Sequence, residues 1–203
     1  MFHIKTILKQ AYNNFAEYRD QSEIEPWKLK EREIFLYRLN LENKKTLLEI
    51  GAGTGRDSLF FQQQGLKVTT IDFAEEMIRL CLEKGLDARI MDFTRLEFPS
   101  ESFDSVYALN CLIHVPKSEF DGVLEEIRKV LKPDGLFFLG MYGGKETEGI
   151  WEDDFYEPKR FFAMYKDETI LEIVQRKFAL VDFHTVDMGA GAPHFQSILL
   201  RKS

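Results

Sequence analysis

Leu47-Leu48-Glu49-Ile50-Gly51-Ala52-Gly53-Thr54-Gly55 is the stretch on which the reading of this chain turns. Thr46 to Ile50 is a continuous apolar run with one acid, the pattern of a strand buried on both faces. It feeds a glycine turn, and the turn opens a helical stretch that Gly65 is placed to end. Glycines there let backbone approach a ligand at the carboxyl edge of a sheet. The spacing is G-x-G-x-G. A dinucleotide fingerprint, G-x-G-x-x-G, needs its third glycine where Arg56 stands.

Downstream, short apolar runs alternate with helical stretches. Leu66 to Asp72 is rich in β-branched residues and predicts a second strand. After it, Ala74, Met77, Ile78, Cys81 and Leu82 form an apolar stripe at helical spacing. Ala88 to Phe93 predicts a third strand, Phe103 to Asn110 a fourth and Gly135 to Tyr142 a fifth. Ser118 is a candidate cap for a helix running to about Leu131, ended by Lys132-Pro133-Asp134-Gly135. Strands separated by helices signal βαβ units and a parallel sheet covered on both faces.

The end of the chain changes character. Asp167 to Lys177 reads as a helix, followed by strands at Phe178 to Met188 and His194 to Lys202 with a short glycine-rich link. That link permits an antiparallel hairpin but no helical crossover. Residues 1–41 have helical periodicity, and Gly143 to Arg160 reads as an irregular, acidic and aromatic segment. The expectation is one α/β domain: a seven-stranded, mostly parallel Rossmann-like sheet with an antiparallel C-terminal hairpin and helices on both faces. Within it, 1–45 form an N-terminal helical cap, 46–142 the core, 143–165 an insert, and 166–203 the last helix and hairpin.

With 203 residues, the chain suits one domain of ordinary size. Its 27 basic and 34 acidic residues give a net charge of −7, which weighs against nucleic acid as a partner and against DNA most of all. No apolar run is long enough to span a membrane, and the N-terminus lacks the marks of a secretory signal. Cys81 and Cys111 lack metal or redox spacing and suit a reducing compartment, so the expected location is cytoplasmic and no metal site is expected.

Asp72 closes the second strand, seventeen positions after Gly55, where a carboxylate can accept both hydroxyls of a ribose. A solvated acid capping the next helix is the plainer account, and both can hold at once. In order, Leu47–Gly55, Ile71–Ile78, Met91–Phe98, Phe103–Val115 and Val130–Leu139 resemble the successive motifs of the class I S-adenosylmethionine-dependent methyltransferases. The resemblance covers roughly half the chain, and its strength lies in five weak motifs at the right order and spacing.

The resemblance implies S-adenosylmethionine as cofactor, S-adenosylhomocysteine as product, and a set of contacts. Glu49 would hold the methionine amino group. Gly51, Ala52 and Gly53 would bring backbone against methionine and ribose, with Gly55 opening the next helix. Asp72 would clasp the ribose, with Phe73 and Met77 against sugar and adenine. Asp92 would accept the adenine amino group, and Phe93 would offer its N–H to a ring nitrogen. Asn110 would present backbone to the methionine end, with Leu112 below the sulfonium. Glu49 departs from the Asp that many members carry, keeping the carboxylate but lengthening its reach.

Methyl transfer from a sulfonium is an in-line displacement with an activated donor, so a protein mainly aligns the partners, excludes water and removes a proton where the acceptor needs it. His114, just after the fourth strand, is the candidate base. Tyr12, Tyr142, Trp151 and Arg160 are candidates for the acceptor side. The fourth strand ends in Ala108-Leu109-Asn110-Cys111, without the Pro-Pro-Tyr run of amino-group methylation on adenine or glutamine, and without a Pro-Cys nucleophile. The reading is methyl transfer to an O, N or S nucleophile of a small molecule. A protein or RNA acceptor, a cofactor-binding protein without catalysis and a nicotinamide-dependent oxidoreductase are the alternatives.

Overall fold

Seven strands form one sheet in the order β3-β2-β1-β4-β5-β9-β8. The computed structural model describes residues 2–203; Met1, the first residue of the expected cap, lies outside them. The strands are β1 (Thr46–Ile50), β2 (Lys67–Asp72), β3 (Asp87–Ile90), β4 (Phe103–Leu109), β5 (Leu131–Gly143), β8 (Ala179–Val186) and β9 (His194–Arg201). β1 to β5 pair in parallel; β9 runs antiparallel to both β5 and β8. The expected C-terminal hairpin is therefore the closing edge of the sheet.

Consecutive residues of a buried strand point to opposite faces, so each apolar run serves two cores. On one face Leu47, Tyr107, Phe138 and Phe195 pack against Phe35 and Leu39 of α3 (Pro26–Leu41) and Phe61 of α4 (Arg56–Gln63). The rings of Tyr107 and Phe138 stack at 4.8 Å and 14°. On the other face Leu48, Ile50, Val106 and Phe137 meet α6 (Lys117–Val130) and α7 (Asp167–Gln175). Met77 and Leu80 of α5 (Glu75–Glu83), with Ala74 just before it, form a separate small cluster against Ala16 of α2 (Ala16–Gln21).

The chain order reverses at β1, which has β2 on one side and β4 on the other. In such sheets the crevice for a ligand opens beyond the carboxyl ends of the strands at that reversal. α1 (Phe2–Asn14) and α2 lie across this crevice and dock on α5 largely through polar contacts. Lys9 pairs with Glu75, Asn13 Oδ1 accepts the N–H of Glu76, Glu17 pairs with Arg79, and Asp20 with Lys84 at 2.7 Å.

Three local expectations need correction. Ser118 does not cap α6: the helix starts at Lys117 after Pro116, and the Lys117 N–H is met by Glu148 at 3.0 Å. β3 ends at Ile90, so Met91 to Phe93 are carried past the sheet edge. The stretch after β5 is not irregular throughout: β6 (Thr147–Ile150) and β7 (Phe161–Met164) form a separate antiparallel pair. Its strands are too far apart in sequence for a turn signal to reveal the pairing.

Candidate cofactor site

Two adjoining cavities occupy the crevice. The first, about 790 Å³, is floored by Gly51, Gly53, Asp72 and Cys111, walled by Phe73, Asp92 and Phe93, and roofed by Lys5, Leu8 and Tyr12 of α1. The second, about 550 Å³, lies along Glu49, Gly51, Ala52, Gly53 and Asp57 and is bordered by Arg19, Lys28 and Arg56. Gly53, Asn110 and Arg19 belong to both.

The loop's shape follows from its glycines. Gly51 has φ +60, and a Cβ there would fall 2.3 Å from the Cβ of Cys111, so β1 and β4 close up only because glycine stands there. Gly53, with φ +57, has open space where a Cβ would project; its nearest neighbour is Arg19 Nη2 at 3.9 Å. The Gly53 N–H donates to Asp72 Oδ2 at 2.9 Å, and the Ala74 N–H to Asp72 Oδ1 at 2.9 Å. Asp72 thus ties the glycine loop to the start of α5 while facing the cavity. Burial raises its carboxyl to about 6, against the lowering effect of those two N–H groups.

Glu49 is buried at the foot of the second cavity. Ser58 Oγ donates to it, and Thr70 donates to Ser58 at 2.8 Å. Burial, with the nearby charge of Asp57, holds its carboxyl well above the usual range. Asn110 sits at φ +54, an uncommon backbone for a residue other than glycine, with its N–H donating to Gly140 O at 2.7 Å. Its side-chain Oδ1 is buried and has no partner among the described residues. A buried acceptor left open at a cavity wall is a place where a ligand donor fits. Asp92 accepts from Lys5 at 2.5 Å and from the Thr94 N–H at 2.9 Å.

A hydrogen-bond chain closes the roof. His114 Nδ1 donates to Phe161 O at 2.6 Å, which leaves Nε2 to accept the Tyr12 phenol at 2.5 Å. Tyr12 Oη in turn accepts from Arg160 Nη1 at 3.2 Å. Arg160 is held by Asp154, whose carboxylate takes Nε and Nη2 at 2.8 Å each, and its guanidinium lies 3.5 Å from the centroid of Tyr156. Burial pushes His114 down to about 3, so its imidazole is neutral.

Of the residues singled out from sequence, the fold brings Glu49, Gly51, Ala52, Gly53, Asp72, Phe73, Asp92, Phe93, Asn110 and His114 to the cavities, with Tyr12 in the roof. Others lie elsewhere. Leu112 faces the main core and Met77 the α5 cluster; Cys111 takes the place at the floor expected of Leu112. Gly55 packs against Leu86 and Cys81. Tyr142 lies against Trp27 and Phe195, and the half-exposed Trp151 lines a groove on the outer face of β6 and β7. Arg160 lies behind the roof, donating to the Tyr12 phenol and stacking on Tyr156. Lys5, Arg19 and Glu119 are additions that the sequence reading did not single out. Lys5, Leu8, Tyr12, Ala16 and Arg19 do recur at helical spacing, a stripe that could have marked the cap's inner face.

Residues 48–139 match the family model described as "Methyltransferase domain". Over 135 residues the chain is 33% identical to sterol 24-C-methyltransferase ERG6B of Gibberella zeae, covering 61% of this chain and 34% of that protein. Phosphoethanolamine N-methyltransferase 2 of Caenorhabditis elegans is 30% identical over 166 residues, 78% of this chain and 37% of that one. The chain therefore spans a little over a third of the length of these curated relatives. Among solved structures, Burkholderia thailandensis 1,6-didemethyltoxoflavin-N1-methyltransferase, crystallised with 1,6-didemethyltoxoflavin and S-adenosylhomocysteine, superposes with a TM-score of 0.80. It is 21% identical, with 100% of this chain and 90% of that one covered, which establishes the shared fold. Residues 48–139 are thus a methyltransferase domain, and sheet order, glycine loop and superposition give the whole chain the class I, Rossmann-like methyltransferase fold.

Proposed function

We propose that the protein is an S-adenosylmethionine-dependent methyltransferase acting on a small-molecule acceptor. The observation that carries this reading is Asp72, buried at the tip of β2, held by the Gly53 and Ala74 N–H groups and facing a cavity beside the glycine loop. The chain's residues fit the cofactor. Asp72 offers acceptor oxygens to ribose hydroxyls, Phe73 and Phe93 an apolar slot, Asp92 an acceptor for an amino group, and Asn110 Oδ1 an open acceptor. When bound, S-adenosylmethionine supplies a methyl group activated on a sulfonium.

What remains for the chain is to orient the acceptor and exclude water. The cap, residues 1–45, roofs the cofactor-binding core, residues 46–142. The insert, residues 143–165, reaches over the same opening through Arg160 and Tyr156, and residues 166–203 close the sheet. Tyr12 presents its phenol oxygen at the roof, and His114 fixes the direction of its proton. With Nε2 occupied and burial opposing its charge, His114 is a positioning residue rather than the proton acceptor expected from sequence. Trp151, just past the end of β6, lines a separate groove.

A roofed cavity suits an acceptor small enough to be enclosed, and the small-molecule substrates named for the curated relatives support the same class. The cytoplasm is the proposed location; no helix among the described residues is long and apolar enough to cross a membrane. The test is transfer of label from methyl-tritiated S-adenosylmethionine to pooled small molecules, with protein and RNA pools in parallel. Labelling of a small molecule supports the proposal. Labelling of the macromolecular pools alone moves the acceptor class, and no binding of the cofactor removes the reading.

A further inference from the structure

Glu119 is a carboxylate that the fold leaves open. It stands in the first turn of α6 and lines the first cavity beside His114, Val115 and Pro116, with Ile4 and Leu8 of α1 on the same lining. Its Oε2 is buried and has no hydrogen-bond partner among the described residues. The other acids on that lining are engaged. Asp72 accepts the Gly53 and Ala74 N–H groups, and Asp92 accepts from Lys5 and from the Thr94 N–H. Lys5 also donates to Thr94 Oγ1 at 2.8 Å, which commits the cap's own cation there. Helix polarity is the plainer account of Glu119, since an acid in the first turn meets the positive end of α6. That attraction supplies the oxygen with no donor, and a buried acceptor without one is destabilising. Ile4 and Leu8, four residues apart, share one face of α1 and with Val115 and Pro116 set apolar surface beside the open oxygen. Around Tyr12 the guanidiniums of Arg19 and Arg160 each lie 5.5 Å from the ring centroid, so a further cation is repelled from that side.

We infer that Glu119 sets acceptor specificity: its open oxygen receives an N–H of a small acceptor that carries a protonated nitrogen on an apolar body. The inference rests on the cofactor reading proposed above and names the class of the acceptor. The apolar body lies against Ile4, Leu8 and Val115, and the charged nitrogen brings the donor that the fold withholds from Glu119. A protonated nitrogen has no free lone pair, so it anchors the acceptor, and the atom that takes the methyl group is another one in the same molecule. Asp72 and Asp92 stay with the cofactor, and Glu119 adds nothing to cofactor binding. An acceptor presenting a carboxylate or phosphate at this place would meet a like charge and be rejected.

The experiment reads binding and transfer separately on the full chain, as wild type, Glu119→Gln and Glu119→Asp. With the protein saturated by S-adenosylhomocysteine, calorimetry compares benzylamine, benzyl alcohol and benzoate, probes that share one ring and differ in charge. The wild type is expected to bind benzylamine roughly 10- to 100-fold tighter than benzyl alcohol, the range for a hydrogen bond to a charged group, with benzoate weakest. Glu119→Gln should bind benzylamine and benzyl alcohol nearly alike, and Glu119→Asp should keep part of the preference. Neither the affinity of Glu119→Gln for S-adenosylhomocysteine nor its melting point without ligand should fall, which separates a lost subsite from a damaged fold. In a labelled small-molecule pool, methyl label should appear on molecules that a cation exchanger retains at neutral pH, and Glu119→Gln should raise the KM for that acceptor. No amine preference in the wild type, the same preference in Glu119→Gln, or label on anionic molecules would overturn the inference and leave Glu119 an acid at a helix N-terminus. Weaker S-adenosylhomocysteine binding by Glu119→Gln would overturn it as well, by moving the residue to the cofactor. A wild type that does not bind S-adenosylhomocysteine refutes the cofactor reading itself, an outcome distinct from the others.

Discussion

The phenol of Tyr12 and Nε2 of His114 stand 2.5 Å apart, 102 residues separated in sequence, and the bond joins the cap to the turn that follows β4. The second nitrogen of His114 is already committed to the Phe161 carbonyl, so the tautomer is set and the pair is a fixed unit. With the imidazole held neutral by burial, its side-chain NMR signals should not titrate between pH 5 and 8. Tyr12→Phe removes the donor and strands a buried nitrogen, a loss of roughly 1–3 kcal/mol in stability. A midpoint near 6.5 for His114 in the wild type would contradict this account of the roof.

Asp72 makes stability and function pull apart. Its folded carboxyl, raised by burial from 3.8 to about 6, corresponds to a difference on the order of 3 kcal/mol. Because the folded value lies above the unfolded one, this contribution is fully present below about pH 4 and is lost as pH rises through about 6. The stability of wild type relative to Asp72→Asn should therefore fall over that interval, while Asp72→Asn binds S-adenosylhomocysteine more weakly. Urea unfolding of both proteins without ligand, from pH 4 to 7, provides the check. Parallel profiles would show that the carboxyl is not buried as described.

His184 gives the opposite face of the sheet its own pH dependence. Its ring sits between Glu31 at 3.0 Å and Asp182 at 3.1 Å, and Glu31 also accepts from Ser197 at 2.6 Å, tying α3 to the last hairpin. Burial opposes the charge, but the two carboxylates outweigh it and raise the imidazole above its usual 6.5. Stability from this cluster is therefore complete below 6.5 and declines as pH climbs through the raised value. Solvent screening at this half-exposed ring keeps the effect small. In melting curves from pH 6 to 9, His184→Gln should flatten the wild-type decline; an unchanged slope would locate that decline elsewhere.

What could be read from the sequence was whatever is local in the chain. β1 and its glycine loop, Asp72 at the tip of β2 and the hairpin at the end all follow from runs of a few residues and their punctuation. Asp92 and Phe93 were legible because a short strand edge carries them straight to the cavity. Leu112 and Met77 were misplaced because an apolar side chain turns to core or cavity according to packing that no local pattern encodes. The β6–β7 pairing, the Arg160–Asp154 clasp and the entry of Arg19 depend on contacts between distant segments, such as the reach from α2 to Tyr156. The cap's stripe was visible in spacing, but it mixes Lys5 and Arg19 with Leu8 and Ala16, and an apolar search passes over it.

The central claim is that the crevice at the ends of β1, β2 and β4 is built for an adenosyl amino acid rather than a dinucleotide. Thermal unfolding of the full chain with S-adenosylmethionine, S-adenosylhomocysteine and NAD tests it most directly. At about 100 times its dissociation constant a ligand stabilises by about 2.7 kcal/mol, which moves the midpoint of a chain this long by roughly 5–10 °C. The account predicts that shift with both adenosyl compounds and none with NAD. A shift with NAD alone would contradict it.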